Sequence, residues 1–71
     1  MFNVGDVVIV NGYWPETGLK PMSIATITLI SERGYMKLHP HRIEDRFSSI
    51  GDHYASIEEI SHLNTCEKFH G

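Results

Sequence analysis

The sequence predicts a small, mainly β domain, and three segments carry that prediction. Residues 7–10 (VVIV) are all β-branched, which favours extended backbone over helix. Residues 24–30 (IATITLI) alternate between two faces, as expected for a strand with one buried side. Residues 35–38 (YMKL) repeat the alternation after a short turn that ends in Gly34. We therefore expect about four or five short strands with a short C-terminal helix or 3₁₀ turn.

The first strand is bounded by turn signals and leads into a long loop. A Gly-Asp pair precedes it, and Asn11-Gly12 follows with residue types that tolerate positive φ. Residues 11–23 show neither a helical nor a strand period and contain Pro15 and Pro21, which lack a backbone donor. A loop of this length in so small a domain is typically functional or mobile. It is the first place to look for a contact surface.

The clearest strand, residues 24–30, predicts a β-hairpin with residues 35–38. One face of each strand is apolar and is expected to point into the core. The predicted inward side chains are Ala25, Ile27, Leu29, Met36 and Leu38.

The pattern after the hairpin is less regular. We predict a short strand near 45–49. Residues 56–63 (SIEEISHL) combine a capping-box pattern with apolar residues at every third position, which predicts a short helix or 3₁₀ turn packed on the sheet. Residues 64–71 show no period and are expected to form a flexible tail, so the predicted domain spans residues 1–63.

Composition narrows the class of protein. The chain has 71 residues, a formal net charge of −3 with neutral histidines, and one cysteine, so an internal disulfide is impossible. A secreted domain of this size would usually need such staples. The sequence shows no charged leader and no long apolar run, so we expect a cytoplasmic protein without a membrane span. A negative chain has no general attraction for phosphate backbones.

Residues 5–10, 25–30 and 57–63, with the long loop and tight hairpin between them, carry a resemblance to a known architecture. The layout resembles the SH3-like small-barrel superfold, including its KOW and Tudor types, which implies a curled sheet with protected edges. The sequence departs from the KOW pattern, whose first loop meets RNA with glycine and basic residues. The acidic loop cluster and aromatic repeat of peptide-binding SH3 domains are also absent. The resemblance therefore implies a fold and no ligand.

The candidate partner-binding residues lie in loop 11–23 and are Tyr13, Trp14, Pro15 and Lys20. Large rigid side chains displayed together serve as anchors at protein interfaces. Trp14 is the only tryptophan and lies outside the predicted strands. The alternative is that Trp14 folds back and caps one end of the barrel. The first hypothesis is a non-enzymatic protein-binding module, a regulator or inhibitor of a larger intracellular machine.

A second hypothesis is a nucleic-acid or ribonucleoprotein-associated barrel. The residues that would carry it cluster around the hairpin: Arg33, Tyr35, Lys37, Arg42 and Arg46. Cationic side chains bind phosphate, and a tyrosine can stack on a base. Acidic residues are interleaved among them, so an ordinary solvated face of mixed charge remains the alternative.

Metal binding and catalysis have little support in the sequence. His39 and His41 would share a strand face, but Pro40 separates them and no third ligand is fixed. Cys66 follows His62 by four residues, without a third group to orient the imidazole. We expect no enzymatic activity and no cofactor. An exposed strand edge leaves room for a homodimer.

Overall fold

Five strands form one antiparallel sheet in the computed structural model, which describes residues 1–11, 17–46 and 58–70. The strands are β1 (Val7–Val10), β2 (Ile24–Ile30), β3 (Tyr35–Pro40), β4 (Glu59–His62) and β5 (Cys66–Lys68). Within the same residues, 3₁₀ turns cover Ile43–Asp45 and Leu63–Thr65. The sheet order is β4-β3-β2-β1-β5. The predicted mainly β class with a short 3₁₀ turn is confirmed.

The sheet is strongly curled, because its two outermost strands are joined by one turn. Only Leu63–Thr65 separate the end of β4 from the start of β5, although these strands lie at opposite ends of the sheet order. Four steps of extended chain reach at most about 14 Å. Four strand spacings of a flat sheet would span about 19 Å. The two edges must therefore approach each other at this end of the molecule.

The core fills the inside of this curl. Among the described residues, the buried apolar side chains of the core are Val8, Val10, Leu19, Ala25, Ile27, Met36, Leu38 and Cys66, none more than 6% exposed. The predicted inward face is confirmed for the two hairpin strands at every position except Leu29.

Leu29 faces outward because β2 contains a bulge. Ile27 is paired with Leu38, yet Leu29 is paired with Lys37, so Thr28 is an extra residue in the ladder. An inserted residue reverses the face of the side chains that follow it. Leu29 is consequently 46% exposed, and Ile30 turns back to pack against the core.

The C-terminal third differs most from the sequence prediction. Glu59–His62 form a strand paired with β3, not part of a helix, and residues 56–57 lie outside the described residues. The segment 64–71, expected to be a flexible tail, contains a strand: Cys66–Lys68 form β5 against β1, and the Phe69 amide donates to the Val7 carbonyl. Pairing with a strand far away in sequence leaves no local period to detect.

The short strand expected near 45–49 is not found where the structure describes the chain. Ile43–Asp45 form a 3₁₀ turn, and Arg46 makes an isolated bridge with Leu19. Residues 47–49 lie outside the described residues.

Ser61 gives a test of the inner face of β4. Its side chain is 1% exposed, and its hydroxyl has no hydrogen-bond partner among the described residues. A buried polar group without a partner costs free energy, so we expect Ser61→Ala to raise the free energy of unfolding by up to about 1 kcal/mol. Urea unfolding measures this. Thr65→Ala is the matched control, because the Thr65 hydroxyl donates to the His62 carbonyl at 2.6 Å and its loss should destabilise. A destabilised Ser61→Ala variant would contradict the assignment.

Candidate functional site

The C-terminal half of loop 11–23 is anchored on the core. Thr17 and Leu19 are buried, and the Thr17 hydroxyl donates to the Leu19 carbonyl at 3.0 Å and accepts from its amide at 3.1 Å. The Lys20 amide donates to the Asp45 carbonyl at 2.6 Å, which ties the loop to the 3₁₀ turn beside it. Residues 17–20 are therefore held in place by the core and by the 3₁₀ turn.

A tight turn at residues 20–23 joins this base to β2. The Ser23 amide and hydroxyl both donate to the Lys20 carbonyl, at 3.2 and 2.5 Å. Pro21 occupies the second position of the turn, where its fixed φ is suitable. The Val10 carbonyl accepts from the Met22 amide, and the Val10 amide donates to the Ser23 carbonyl, both at 2.8 Å. Val10 of β1 therefore faces both Met22 and Ser23, which is a β-bulge.

Met22 is the unusual residue of this turn. It has φ of +70°, and it is the only residue other than glycine with positive φ among those described. A bulge that needs positive φ at this position normally has glycine there. The left-handed conformation costs a side-chain-bearing residue about 1–2 kcal/mol. Met22 is nevertheless 69% exposed, so its side chain recovers little by packing within the chain.

The contact residues predicted from the sequence are divided between the described and the undescribed part of loop 11–23. Tyr13, Trp14 and Pro15 lie outside the described residues, and Lys20 is exposed next to Met22. Sequence analysis missed Met22. Pro21 was the available signal, since proline at the second position of a turn often precedes a residue with positive φ. Methionine is not a turn-forming residue, so this signal was easy to overlook.

Two of the basic candidates are engaged by carboxylates. Arg42 pairs with Glu44 on the surface; their hydrogen bond raises the pKa of Arg42 and lowers the pKa of Glu44. Arg46 pairs with Glu59, and these side chains are only 13% and 15% exposed. The Arg46 guanidinium is therefore not available to a ligand, whereas Arg42 is exposed and held only by a weak surface pair.

The remaining basic candidates border an outer sheet face of mixed character. Lys37 lies between Leu29 of β2 and Ile60 of β4, to both of which it is paired in register. In the next row Tyr35 is opposite His62, with their rings edge to face at 5.2 Å between centroids. Leu29 and Tyr35 are each 46% exposed and Ile60 is 61% exposed. Arg33 is exposed in the hairpin turn. The face is more apolar than cationic.

Both histidine candidates lie beside Thr26. His41 is exposed, with Nε2 2.8 Å from the Thr26 hydroxyl, and His39 is half-buried on β3 opposite Thr26. Within residues 1–11, 17–46 and 58–70, no group of three or more histidine, cysteine, aspartate or glutamate side chains is placed to hold a metal ion.

Cys66 is a core residue. It is 6% exposed, and burial raises the pKa of its thiol, partly opposed by a hydrogen bond with Thr65. His62 ends β4 and Cys66 begins β5, so they do not share the helix face that their spacing would give. The thiol is therefore neither ionised nor exposed in the way that a nucleophile requires.

No family model matches the sequence, and no significant similarity to a curated protein or a solved structure is found. Among the residues described, no helix has the length and apolar character needed to cross a membrane.

Proposed function

We propose that the chain is a non-enzymatic protein-binding module, a regulator or inhibitor of a larger intracellular assembly, that contacts its partner through loop 11–23. The observation that carries this proposal is Met22, an exposed apolar side chain held at positive φ. Local strain that the fold tolerates is typical of functional positions. A flexible thioether side chain adapts well to an apolar partner surface.

An SH3-like barrel is the architecture we propose for this module. Three observations support it: a long loop between the first two strands, a last strand that pairs with the first, and a 3₁₀ turn that joins the two outermost strands. In such an arrangement the exposed turn residues Lys20, Pro21 and Met22 can meet a partner, while Leu19 of the same loop stays in the core.

A protein partner fits the loop better than nucleic acid does. The exposed part of the turn contains one lysine beside Pro21 and Met22. Earlier in loop 11–23 are Tyr13, Trp14 and Pro15, which add apolar and aromatic area. Contacts of this kind bury apolar surface and depend little on salt. Phosphate binding needs a concentration of positive charge, which the net charge of −3 does not favour.

The second candidate is a nucleic-acid-associated barrel that uses the face around residues 33–46. Exposure of Arg33, Tyr35 and Lys37 near one another favours it. The engagement of Arg42 and Arg46 with carboxylates weakens it. Salt separates the two proposals, because affinity for a phosphate backbone falls steeply as salt rises.

Met22→Gly is expected to separate binding from stability. Glycine relieves a left-handed penalty of about 1–2 kcal/mol and adds back about 0.5–1 kcal/mol of chain entropy. The variant should therefore be as stable as the wild-type chain, or up to about 1.5 kcal/mol more stable, in urea unfolding. Binding should fall at least tenfold, because the contact side chain is gone. The assay is capture from a native lysate by immobilised chain, with nuclease present, followed by titration of the captured protein.

Two further variants control this experiment. Trp14→Ala should also lose capture, with little change in melting temperature. Leu29→Ser removes a comparably exposed apolar side chain from the outer sheet face and should retain capture. Capture that survives both loop variants but is lost with Leu29→Ser, or with nuclease, would refute contact through the loop.

A further inference from the structure

The edge of β4 that faces away from β3 has a defined hydrogen-bonding pattern. Among the described residues β3 is the only strand paired with β4, in a register that opposes Tyr35 to His62 and Lys37 to Ile60. The Leu63 amide continues this register by donating to the Gly34 carbonyl at 2.9 Å. Bonded and non-bonded pairs alternate in an antiparallel ladder. The amides and carbonyls of Ile60 and His62 therefore point away from β3.

The side chains of these same residues share the outer face of the sheet. Ile60 is the second residue of β4 and is 61% exposed. Ser61 is buried and Glu59 is half-buried on the inner face. A strand added to β4 must form hydrogen bonds with the backbone amides and carbonyls of Ile60 and His62. The outward side chains of the added strand must also lie on the same face of the sheet as those of Ile60 and His62. A second β4, related by a two-fold axis, meets both conditions when Ile60 lies on the axis.

We propose that two copies of this chain pair antiparallel through β4, with Ile60 of one copy opposite Ile60 of the other. In this register Glu58 of each copy lies opposite His62 of the second copy. The Glu58 carboxylate accepts a hydrogen bond from the Thr28 hydroxyl of its own chain. The side-chain contact across the two strands therefore comes from the two exposed isoleucines, which cover each other. The row Leu29–Lys37–Ile60 then continues into its symmetry mate across a single sheet.

The composition of the two edges favours β4 over β5. Edge strands that resist pairing carry lysine, proline or an inward-pointing charge. β5 has three residues and contains Glu67 and Lys68, whose ammonium lies 3.5 Å from the Asp6 carboxylate. β4 has neither lysine nor proline, and its inward charge, Glu59, is paired with Arg46 within the chain. A four-residue edge is short, so we expect a weak dimer whose population depends on concentration.

Sedimentation equilibrium of the full chain over a wide concentration range tests the pairing. We expect a monomer–dimer equilibrium for the wild-type chain and at least a tenfold weaker dimer for Ile60→Lys, which places two like charges on the axis. Leu29→Lys is the matched control, since it adds the same charge to the same face two strands away, and it should dimerise like the wild-type chain. A wild-type chain that is monomeric at every concentration, or equal weakening by both variants, would overturn the proposal.

Disulfide trapping tests the register in a Cys66→Ser background. Residues opposite each other in a bonded pair have Cα atoms about 5.5 Å apart, within the range of a disulfide. Ile60→Cys should form covalent dimers on mild oxidation. Glu58→Cys and His62→Cys should cross-link efficiently only when the two variants are mixed. Ser61→Cys should not cross-link, because its side chain points into the core. Efficient trapping at residue 61, or none at residue 60, would refute this register.

The dimer and the loop contact can fail independently. Met22→Gly leaves β4 untouched, so its sedimentation behaviour should match that of the wild-type chain. Loss of dimerisation in Met22→Gly would count against pairing through β4.

Discussion

Ile27→Ala is expected to lower the free energy of unfolding by about 2–5 kcal/mol, the usual cost of emptying a buried aliphatic site. Ile27 is 1% exposed at the centre of β2, inside the curl of the sheet. A domain of this size buries only about 60% of the surface of its unfolded chain, so it has little stability to spare. Urea unfolding followed by circular dichroism measures the loss.

Leu29→Ala is the control for this prediction. Leu29 belongs to the same strand and has the same parity as Ile27, but the bulge at Thr28 turns it outward. Its truncation should change stability by less than about 0.5 kcal/mol, as expected at an exposed site. If Leu29→Ala destabilised the chain more than Ile27→Ala, the bulge and the assignment of faces would both be wrong.

Glu59→Ala is expected to lower the free energy of unfolding by about 2–4 kcal/mol. This loss is at or below the usual range for breaking a buried ion pair, because the site keeps some solvent contact. The change leaves the Arg46 guanidinium unpaired at 13% side-chain exposure. It also releases the link between β4 and the segment that bridges to Leu19. The carboxylate lies against Gly18 as well: a Cβ added there would come within 2.5 Å of Glu59 Oε1. Thermal and urea unfolding provide the measurement.

A double replacement and an exposed pair control the second prediction. Arg46→Met with Glu59→Leu removes both charges and keeps apolar volume, so it should recover most of the loss. Glu44→Ala breaks the exposed pair with Arg42 and should leave stability unchanged within error. If Glu59→Ala left the free energy of unfolding unchanged, the ion pair between Arg46 and Glu59 would not tie these segments together.

The sequence was sufficient where structure is determined by neighbours in the chain. The alternation in β2 and β3, together with a turn that ends in Gly34 at φ of +89°, predicts the hairpin correctly. The bulge at Thr28 was not predictable, because β2 alternates without interruption in the sequence. Only the register against β3 reveals the extra residue.

The prediction for the C-terminal part of the sheet was wrong because, in β4, the apolar residue is exposed and a polar residue is buried. Ile60 is exposed while Ser61 is buried, the reverse of what hydrophobicity predicts. The period of three through Ile60 and Leu63 therefore favoured a helix that does not form at Glu59–His62. β5 pairs with a strand more than fifty residues earlier in the chain, and no local signal marks such a contact.

The candidate site was likewise predicted only in part from the sequence. Loop 11–23 is identifiable from composition, since prolines and aromatic residues interrupt every period. The strained backbone of Met22 is not, because it follows from the two bonds that join the turn to Val10. The basic cluster looked more accessible in sequence than it is, because the ion pair between Arg46 and Glu59 forms only after folding.

Chemical-shift mapping tests the proposed contact most directly. The ¹⁵N-labelled chain would be titrated with the protein that it captures from lysate, and perturbed amides would be assigned. We predict the largest changes at Lys20, Met22 and the residues of the loop before them, with β2 and β3 little affected. Perturbations centred on Tyr35, Lys37 and Leu29, with Lys20 and Met22 unchanged, would contradict binding through the loop.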